Sequence, residues 1–338
     1  RRQRQMCIRD SIDAKGKILV GNTHFSANDT LYAYWSIDVY TITLDDQNST
    51  SASNPNPIYV KYGVGYFSNS GATSSISSIT APQRTGYIFG GYYTSTNGSG
   101  TQIITNTGSI IASTTTQFTG NATIYARWTA ERYAITLSVA NGGTLASGIA
   151  DNNNVIYAQY ASGTTYKESS VSAGSTVLKA DATRGGYALA GWFTSQTSGT
   201  KVIEADGTFV SNVSGYTNGS GQWTRTSGVT LYAQWDNNSY KITYKANEGT
   251  GADQEQTVTF GQNFTTKAAN TFTRTGYTLS GWSTSASSLQ GSYQGTNSTY
   301  SYSTIGNTVL YAYWTANVYT VSLDNQGATS AGTTVIYE

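Results

Sequence analysis

A seam of two short strands recurs four times, and it restricts the possible folds more than any other feature. It reads Leu31-Tyr32-Ala33-Tyr34-Trp35, four residues, then Tyr40-Thr41-Ile42-Thr43-Leu44. It returns as Ile124 to Trp128 followed by Tyr133 to Leu137, as Leu231 to Trp235 followed by Tyr240 to Tyr244, and as Leu310 to Trp314 followed by Tyr319 to Leu323. The step from Trp to Tyr is five residues every time, whereas the steps between Trp35, Trp128, Trp235 and Trp314 are 93, 107 and 79 residues. A constant seam at variable spacing marks tandem units with surface loops of unequal length.

Both halves of the seam alternate. Leu31, Ala33 and Trp35 share one face, with Tyr32 and Tyr34 on the other; Tyr40, Ile42 and Leu44 oppose Thr41 and Thr43. Period two in aromatic and β-branched residues predicts half-buried strands. Fully stretched, the five steps between them reach roughly 17 Å, so neighbouring units are expected to sit close, as a jointed rod. The layout that follows is residues 12–35 as the end of a truncated repeat, complete repeats at 36–128, 129–235 and 236–314, and the start of a further one at 315–338.

Within each complete repeat a second landmark appears. Arg84-Thr85-Gly86-Tyr87 runs on to Gly91-Tyr92, Arg184-Gly185-Gly186-Tyr187 to Gly191-Trp192, and Arg274-Thr275-Gly276-Tyr277 to Gly281-Trp282. The first glycine suits a turn that needs positive φ. The second suits close approach of a neighbouring backbone or ring. Asn141-Gly142-Gly143 and Asn247-Glu248-Gly249 are turn signals after opening strands. Asn48 to Pro57 reads as a loop and Ile58 to Gly63 as a second strand. Lys267 to Asn270 and Ala72 to Ser78 are the two candidate short helices. The extra length of the second repeat falls mainly between Trp192 and Val229 and reads as a surface-loop insertion.

Residues 1–11 stand apart. Arg1-Arg2-Gln3-Arg4-Gln5-Met6-Cys7-Ile8-Arg9-Asp10-Ser11 resembles an in-frame translation of a transposase sequencing adapter, so it is set aside from fold reasoning. With it go the single Met and Cys, four of 19 basic residues and one of 18 acidic ones, leaving 15 against 17. That balance gives nucleic acid and acidic membranes no attraction. No cysteine remains for disulfides or thiolate metal sites. There is no run of 18 apolar residues to span a membrane as a helix. Charged residues are 11% and aromatic ones 13%, which points to many thin β-rich cores filled by Tyr and Trp. Because the chain starts and stops inside a repeat, it reads as a piece of a longer protein.

Catalytic chemistry has little to work with. The single histidine, His24, lies in the incomplete unit, so neither a nucleophile–His relay nor a His metal site has its partners. Asp45-Asp46, Asp324 and Glu204-Ala205-Asp206 lack calcium-loop spacing, and no acid pair recurs between repeats as glycoside cleavage would need. No catalytic, cofactor or metal residue is expected. Six residues remain as candidates for ligand contact. Arg84, Arg184 and Arg274 recur, and each is either a ligand-binding cation or a cap or ring-stacking partner within its own turn. Tyr34, Tyr62 and Tyr313 are either sugar-stacking platforms or cross-strand pairs on a thin sheet. Lys241, on an opening strand, is a further candidate, for an isopeptide crosslink.

Together, Tyr-x-Ile-Thr-Leu, Asn-Gly-Gly, Arg-x-Gly-Tyr-x-x-x-Gly-Trp and Leu-Tyr-Ala-x-Trp resemble the Listeria–Bacteroides repeat family, similar to the B repeats of internalin-type surface proteins. The resemblance implies a mainly β (α+β) chain: a tandem array of small β-grasp-like units with mixed sheets and at most one short helix each. It also implies an extracellular place on a bacterial cell surface or wall, and a non-enzymatic stalk or spacer with weak multivalent adhesion. The partners it implies are neighbouring repeats of the same chain and host or neighbouring-cell surface proteins or glycans. A glycan- or protein-binding adhesin module and an accessory region of a large secreted enzyme are the alternative readings. Two places in the first repeat depart from the pattern: Gly91-Tyr92 replaces Gly-Trp, and Asp45-Asp46-Gln47-Asn48 replaces Asn-Gly-Gly.

Overall fold

The computed structural model describes residues 36–337 apart from 141, 170–180, 325, 328, 331 and 334. The first seam strand with Tyr34, the truncated repeat at 12–35, His24 and the adapter-like residues lie outside the described part.

Each complete repeat builds one mixed sheet on the seam. In the first, the spatial order is Ser75–Ile76, Gly65–Phe67, Ile58–Lys61, Val39–Asp45, Ala122–Ala130, Tyr87–Tyr93, Gln102–Ile104. The opening strand Val39–Asp45 is antiparallel to Ile58–Lys61 and parallel to the Trp-bearing strand, with Ile42 opposite Ala122 and Leu44 opposite Ile124. In the second repeat Arg132–Ser138 lies parallel to Val229–Asn237, and in the third Ser239–Lys245 lies parallel to Thr308–Ala316. Every Trp-ending strand described therefore closes onto the Tyr-led strand at the head of its own repeat. A parallel pair needs a long crossover, and here hairpins and loops supply it.

The alternation places the cores. Ile42, Leu44, Ile124 and Ala126 are buried while Thr43 and Arg127 are exposed. Three separate clusters result, one within residues 42–126, one within 135–233 and one within 242–312. Each fully buried aliphatic side chain contributes about 1.5–3 kcal/mol over an exposed one, so a dozen such residues hold a thin core. By compactness the described chain falls into two units. One runs through Arg84 and includes Phe89–Trp128; the other takes Thr85–Ile88 together with Thr129 onward, and so contains the second and third repeats.

Three local features differ from the sequence expectation. The strands run on through the four-residue step, so that only Glu131 separates Ala122–Ala130 from Arg132–Ser138, and only Asn238 separates Val229–Asn237 from Ser239–Lys245. Neither candidate helix forms. Ser75–Ile76 is a strand, and residues 267–270 make one turn in which the Thr271 amide and hydroxyl both donate to Ala268 O, at 3.1 and 2.7 Å. Helical structure among the described residues is two 3-10 segments, Thr96–Gly98 and Ala112–Thr116. Finally, the insertion of the second repeat is more than a surface loop. It sends Trp223 (0% exposed) and Val213 into the repeat's core, packed with Phe209 and Tyr216. Backbone bonds between Trp223 and Ala161 and Ser162 (2.8 and 3.0 Å) fix it there.

Candidate functional site

The three recurring arginines each make contacts within their own repeat. In the second and third repeats the Tyr187 and Tyr277 amides donate back to Arg184 and Arg274 O, both at 3.1 Å. The residue between, Gly186 or Gly276, has φ near +80°, as a type II turn requires of its third position. The guanidinium then lies over the following ring, 3.9 Å from the Tyr187 centroid for Arg184 and 4.0 Å from that of Tyr277 for Arg274. Arg274 also pairs with Glu248 at 2.8 Å. Arg84 donates to Gln47 O at 3.3 Å and so ties the first repeat's turn to the bend after its opening strand.

The seam tryptophan is anchored in that same bend. Trp314 Nε1 donates to Ala246 O and Asn247 O, both at 2.9 Å, and Trp128 Nε1 to Asp46 O at 2.9 Å. Trp235 Nε1 has no acceptor among the described residues; the matching bend includes residue 141, which lies outside them. The bend's last glycine exists for the indole. A Cβ on Gly143 would sit 2.3 Å from Trp235 Cζ2, and one on Gly249 2.4 Å from Trp314 Cζ2. The later glycine of the Arg-x-Gly-Tyr strand admits backbone: Cβ atoms at Gly91, Gly191 and Gly281 would meet Ile104 O, Ile203 O and Gln294 O at 2.4, 2.6 and 2.6 Å.

The first repeat's two departures answer each other. Asp46, which stands in the bend, accepts from the Tyr92 hydroxyl, from Ser53 Oγ at 2.8 Å and from the Ser53 amide at 2.9 Å. Tyr92 is fully buried where the other repeats carry Trp192 and Trp282. Burial, then the hydrogen bond to Asp46, pushes its phenol well above the ordinary tyrosine range. Asp46 thus takes its donors from Tyr92 and Ser53, whereas the indole at the matching place in the third repeat, Trp282, gives its N–H to the backbone carbonyl of Lys267 at 2.9 Å.

Tyr62 directly follows the second strand of the first repeat, Ile58–Lys61. It is 43% exposed, and its amide donates to Asp38 O at 3.4 Å. Tyr313 is half-buried on the seam strand opposite Gly281, and its carbonyl accepts from Ser280 Oγ at 3.2 Å. Lys241 is exposed and pairs with Glu255 at 2.7 Å. A shallow hollow in the second repeat is lined by Thr194, Lys201, Val210, Asn212 and Tyr216. Among the described residues no three His, Cys, Asp or Glu side chains gather as a metal site would need, and no helix is long and apolar enough to cross a membrane. Of the candidates, Arg84 and Tyr62 lie in the first repeat, Arg184 in the second, and Arg274 and Tyr313 in the third, while Tyr34 lies outside the described residues.

What the sequence reading overlooked is the single residue between repeats. The Asn238 amide donates to Gly186 O at 3.0 Å, and Asn238 O accepts from the Phe260 amide at 2.9 Å. Asn237 Nδ2 adds a 2.6 Å bond to Phe260 O. Glu131 does the same within its unit, donating to Gly86 O at 2.9 Å and accepting from the Tyr160 amide at 2.8 Å; Asn317 donates to Gly276 O at 2.9 Å. Each also engages the tyrosine two residues on: Glu131 accepts from Tyr133 at 2.7 Å, and Asn238 and Asn317 donate to Tyr240 and Tyr319 at 3.5 and 3.2 Å. The signal was present in the recurrence of Tyr62, Tyr160 and Phe260 at the same strand end.

The Listeria-Bacteroides repeat domain matches at residues 40–127, 153–216 and 240–313. A protein of Evansella cellulosilytica provisionally named a membrane protein is 25% identical over 76% of this chain and 30% of its own length. A second from the same organism, provisionally named a Gly-rich membrane protein, is 23% identical over 88% of this chain and 27% of its own. The chain thus spans less than a third of the length of these relatives. No solved structure gives a significant match. With matches that together cover more than half of the chain, one lying in each of the three complete repeats, the chain belongs to the Listeria-Bacteroides repeat domain family.

Proposed function

We propose that this chain is a non-enzymatic repeat region of a bacterial cell-surface protein, outside the cell, where it acts as a spacer that carries other parts of the protein away from the surface. The observation that carries this reading is the one-residue link. Asn238 is hydrogen-bonded backward to Gly186 and forward to Phe260, so the third repeat follows the second with no slack between them. A second support is that each repeat closes its own core, and such units add length without redesign of a shared interior. The names of the Evansella relatives agree with a protein attached at a membrane. Repetition also supplies many copies of any weak contact to proteins or glycans of a facing cell, and tethered copies bind with avidity well above that of one.

Small-angle scattering with negative-stain imaging of the whole chain tests the spacer role. The expected result is an elongated particle whose length grows in equal steps when a repeat is duplicated. A compact globule of unchanged length would overturn it. Binding of a single defined sugar on a glycan array, lost on Tyr62→Ala or Tyr313→Ala, would favour recognition over spacing.

A further inference from the structure

Gly186 and Gly276 occupy the same turn with nearly the same backbone, φ +81° and +78°, yet they face different surroundings. A Cβ on Gly186 would lie 2.5 Å from Cδ1 and Cε1 of Phe260, the ring at the end of the next repeat's second strand. At Gly276 such a Cβ would meet nothing within 4 Å. Gly86, φ +77°, behaves like Gly186: its Cβ would lie 2.3 Å from the Tyr160 ring. Positive φ explains why glycine suits all three turns. It does not explain why an aromatic ring from the following repeat is pressed flat against two of them.

The rest of the contact is equally repetitive. Tyr187 meets Phe260 edge to face, centroids 5.4 Å apart at 79°, and Tyr87 meets Tyr160 at 5.6 Å and 75°. Ile305 Cδ1 closes one side, 3.0 Å from where a Cβ of Gly185 would stand. The ring residue's amide is held by the linker carbonyl, and the linker amide by the glycine carbonyl, so one ring, one turn and one linker residue form a closed circuit.

We propose that the Arg-x-Gly-Tyr turn is a socket for the aromatic residue of the following repeat. Tyr160 and Phe260 are the plugs, and the partner this surface fits is another repeat of the same family. The socket needs glycine for the missing Cβ and tyrosine for the edge contact. The plug needs a flat ring on a residue whose amide reaches the linker. Tyr62 holds the plug position of the first repeat, and its exposed ring is a surface for a turn of this kind. The socket deepens the spacer reading and rests on it for its use, but its test reads coupling between repeats instead of reach.

Gly186→Ala and Gly276→Ala carry the same φ penalty and differ only in the seated ring, so the pair isolates the socket. In the whole chain, Gly186→Ala is expected to speed hydrogen exchange at the Asn238 and Phe260 amides by about tenfold or more and to separate the unfolding of the second and third repeats. Gly276→Ala, read at the Asn317 amide that Gly276 O holds, is expected to show a clearly smaller acceleration. Phe260→Ala reproduces the Gly186→Ala result, while Phe260→Tyr, the ring found at position 160, preserves coupling. An effect of Gly276→Ala at Asn317 equal to that of Gly186→Ala at Asn238, or unchanged exchange in Phe260→Ala, would overturn the proposal. Intact coupling in a compact particle would overturn the spacer role alone, and an elongated particle without coupling would overturn the socket alone.

Discussion

The first and third repeats fill the equivalent place in their own sheets with different chemistry. In the third, Trp282 is fully buried, donates Nε1 to Lys267 O at 2.9 Å and meets Tyr244 edge to face at 4.6 Å. In the first, Tyr92 stands there, a leucine replaces Tyr244, and the polar end of the ring is turned to Asp46 and Ser53. An indole satisfied by backbone asks nothing of the neighbouring side chains. A phenol satisfied by a carboxylate fixes the identity of a residue 46 positions away. Two residues that each look like a departure from the family pattern are one substitution carried by two positions.

Four experiments press on this contrast. The largest effect is expected from Trp282→Ala, which leaves a cavity in the third core and costs about 3–5 kcal/mol; hydrogen exchange resolved by repeat should show the loss confined there and to its coupled neighbour. Tyr92→Trp, which makes the first repeat look like the others, is expected to destabilise it by about 1–3 kcal/mol, through overpacking and loss of the donor to Asp46. Adding Asp46→Asn should recover part of that loss in urea unfolding, and strict additivity would break the pairing.

Tyr92→Phe should cost about 1–2 kcal/mol and also change the pH profile. The folded phenol holds its proton more tightly than the unfolded one. Its contribution is therefore complete below about pH 10 and is lost as pH rises above it, because only the unfolded chain then gives up the proton. Tyr244, raised chiefly by burial, has the same sign. The measurement is stability against pH from 8 to 11, with a shallower alkaline decline in Tyr92→Phe. The smallest effect is expected from Lys241→Ala, which removes an exposed ion pair to Glu255 and should cost less than about 1 kcal/mol, less still at high salt.

The seam was legible because strand alternation is local, and Ile42, Leu44, Ile124 and Ala126 advertise their buried face within five residues. Glycines in the turns were legible as backbone requirements. Their second role was not, since the partners of Gly143, Gly186 and Gly249 are rings 92, 74 and 65 residues onward. The same distance hid Asp46 and Tyr92. Ala72–Ser78 and Lys267–Asn270 looked helical on short-range composition, but neither is long enough to offset the cost of nucleating a helix. Trp223 was misplaced because a Gly/Ser/Asn-rich insertion reads as solvent-facing, while its largest ring is what anchors it.

The circuit at the link draws its two halves from two different repeats: the glycine turn serves what comes after, and the strand-end ring serves what came before. Any whole repeat copied or deleted in frame therefore regenerates a complete junction at its borders. Such an array can lengthen or shorten by recombination in a single step, with no compensating mutation, and natural variation in the number of repeats would be neutral for folding.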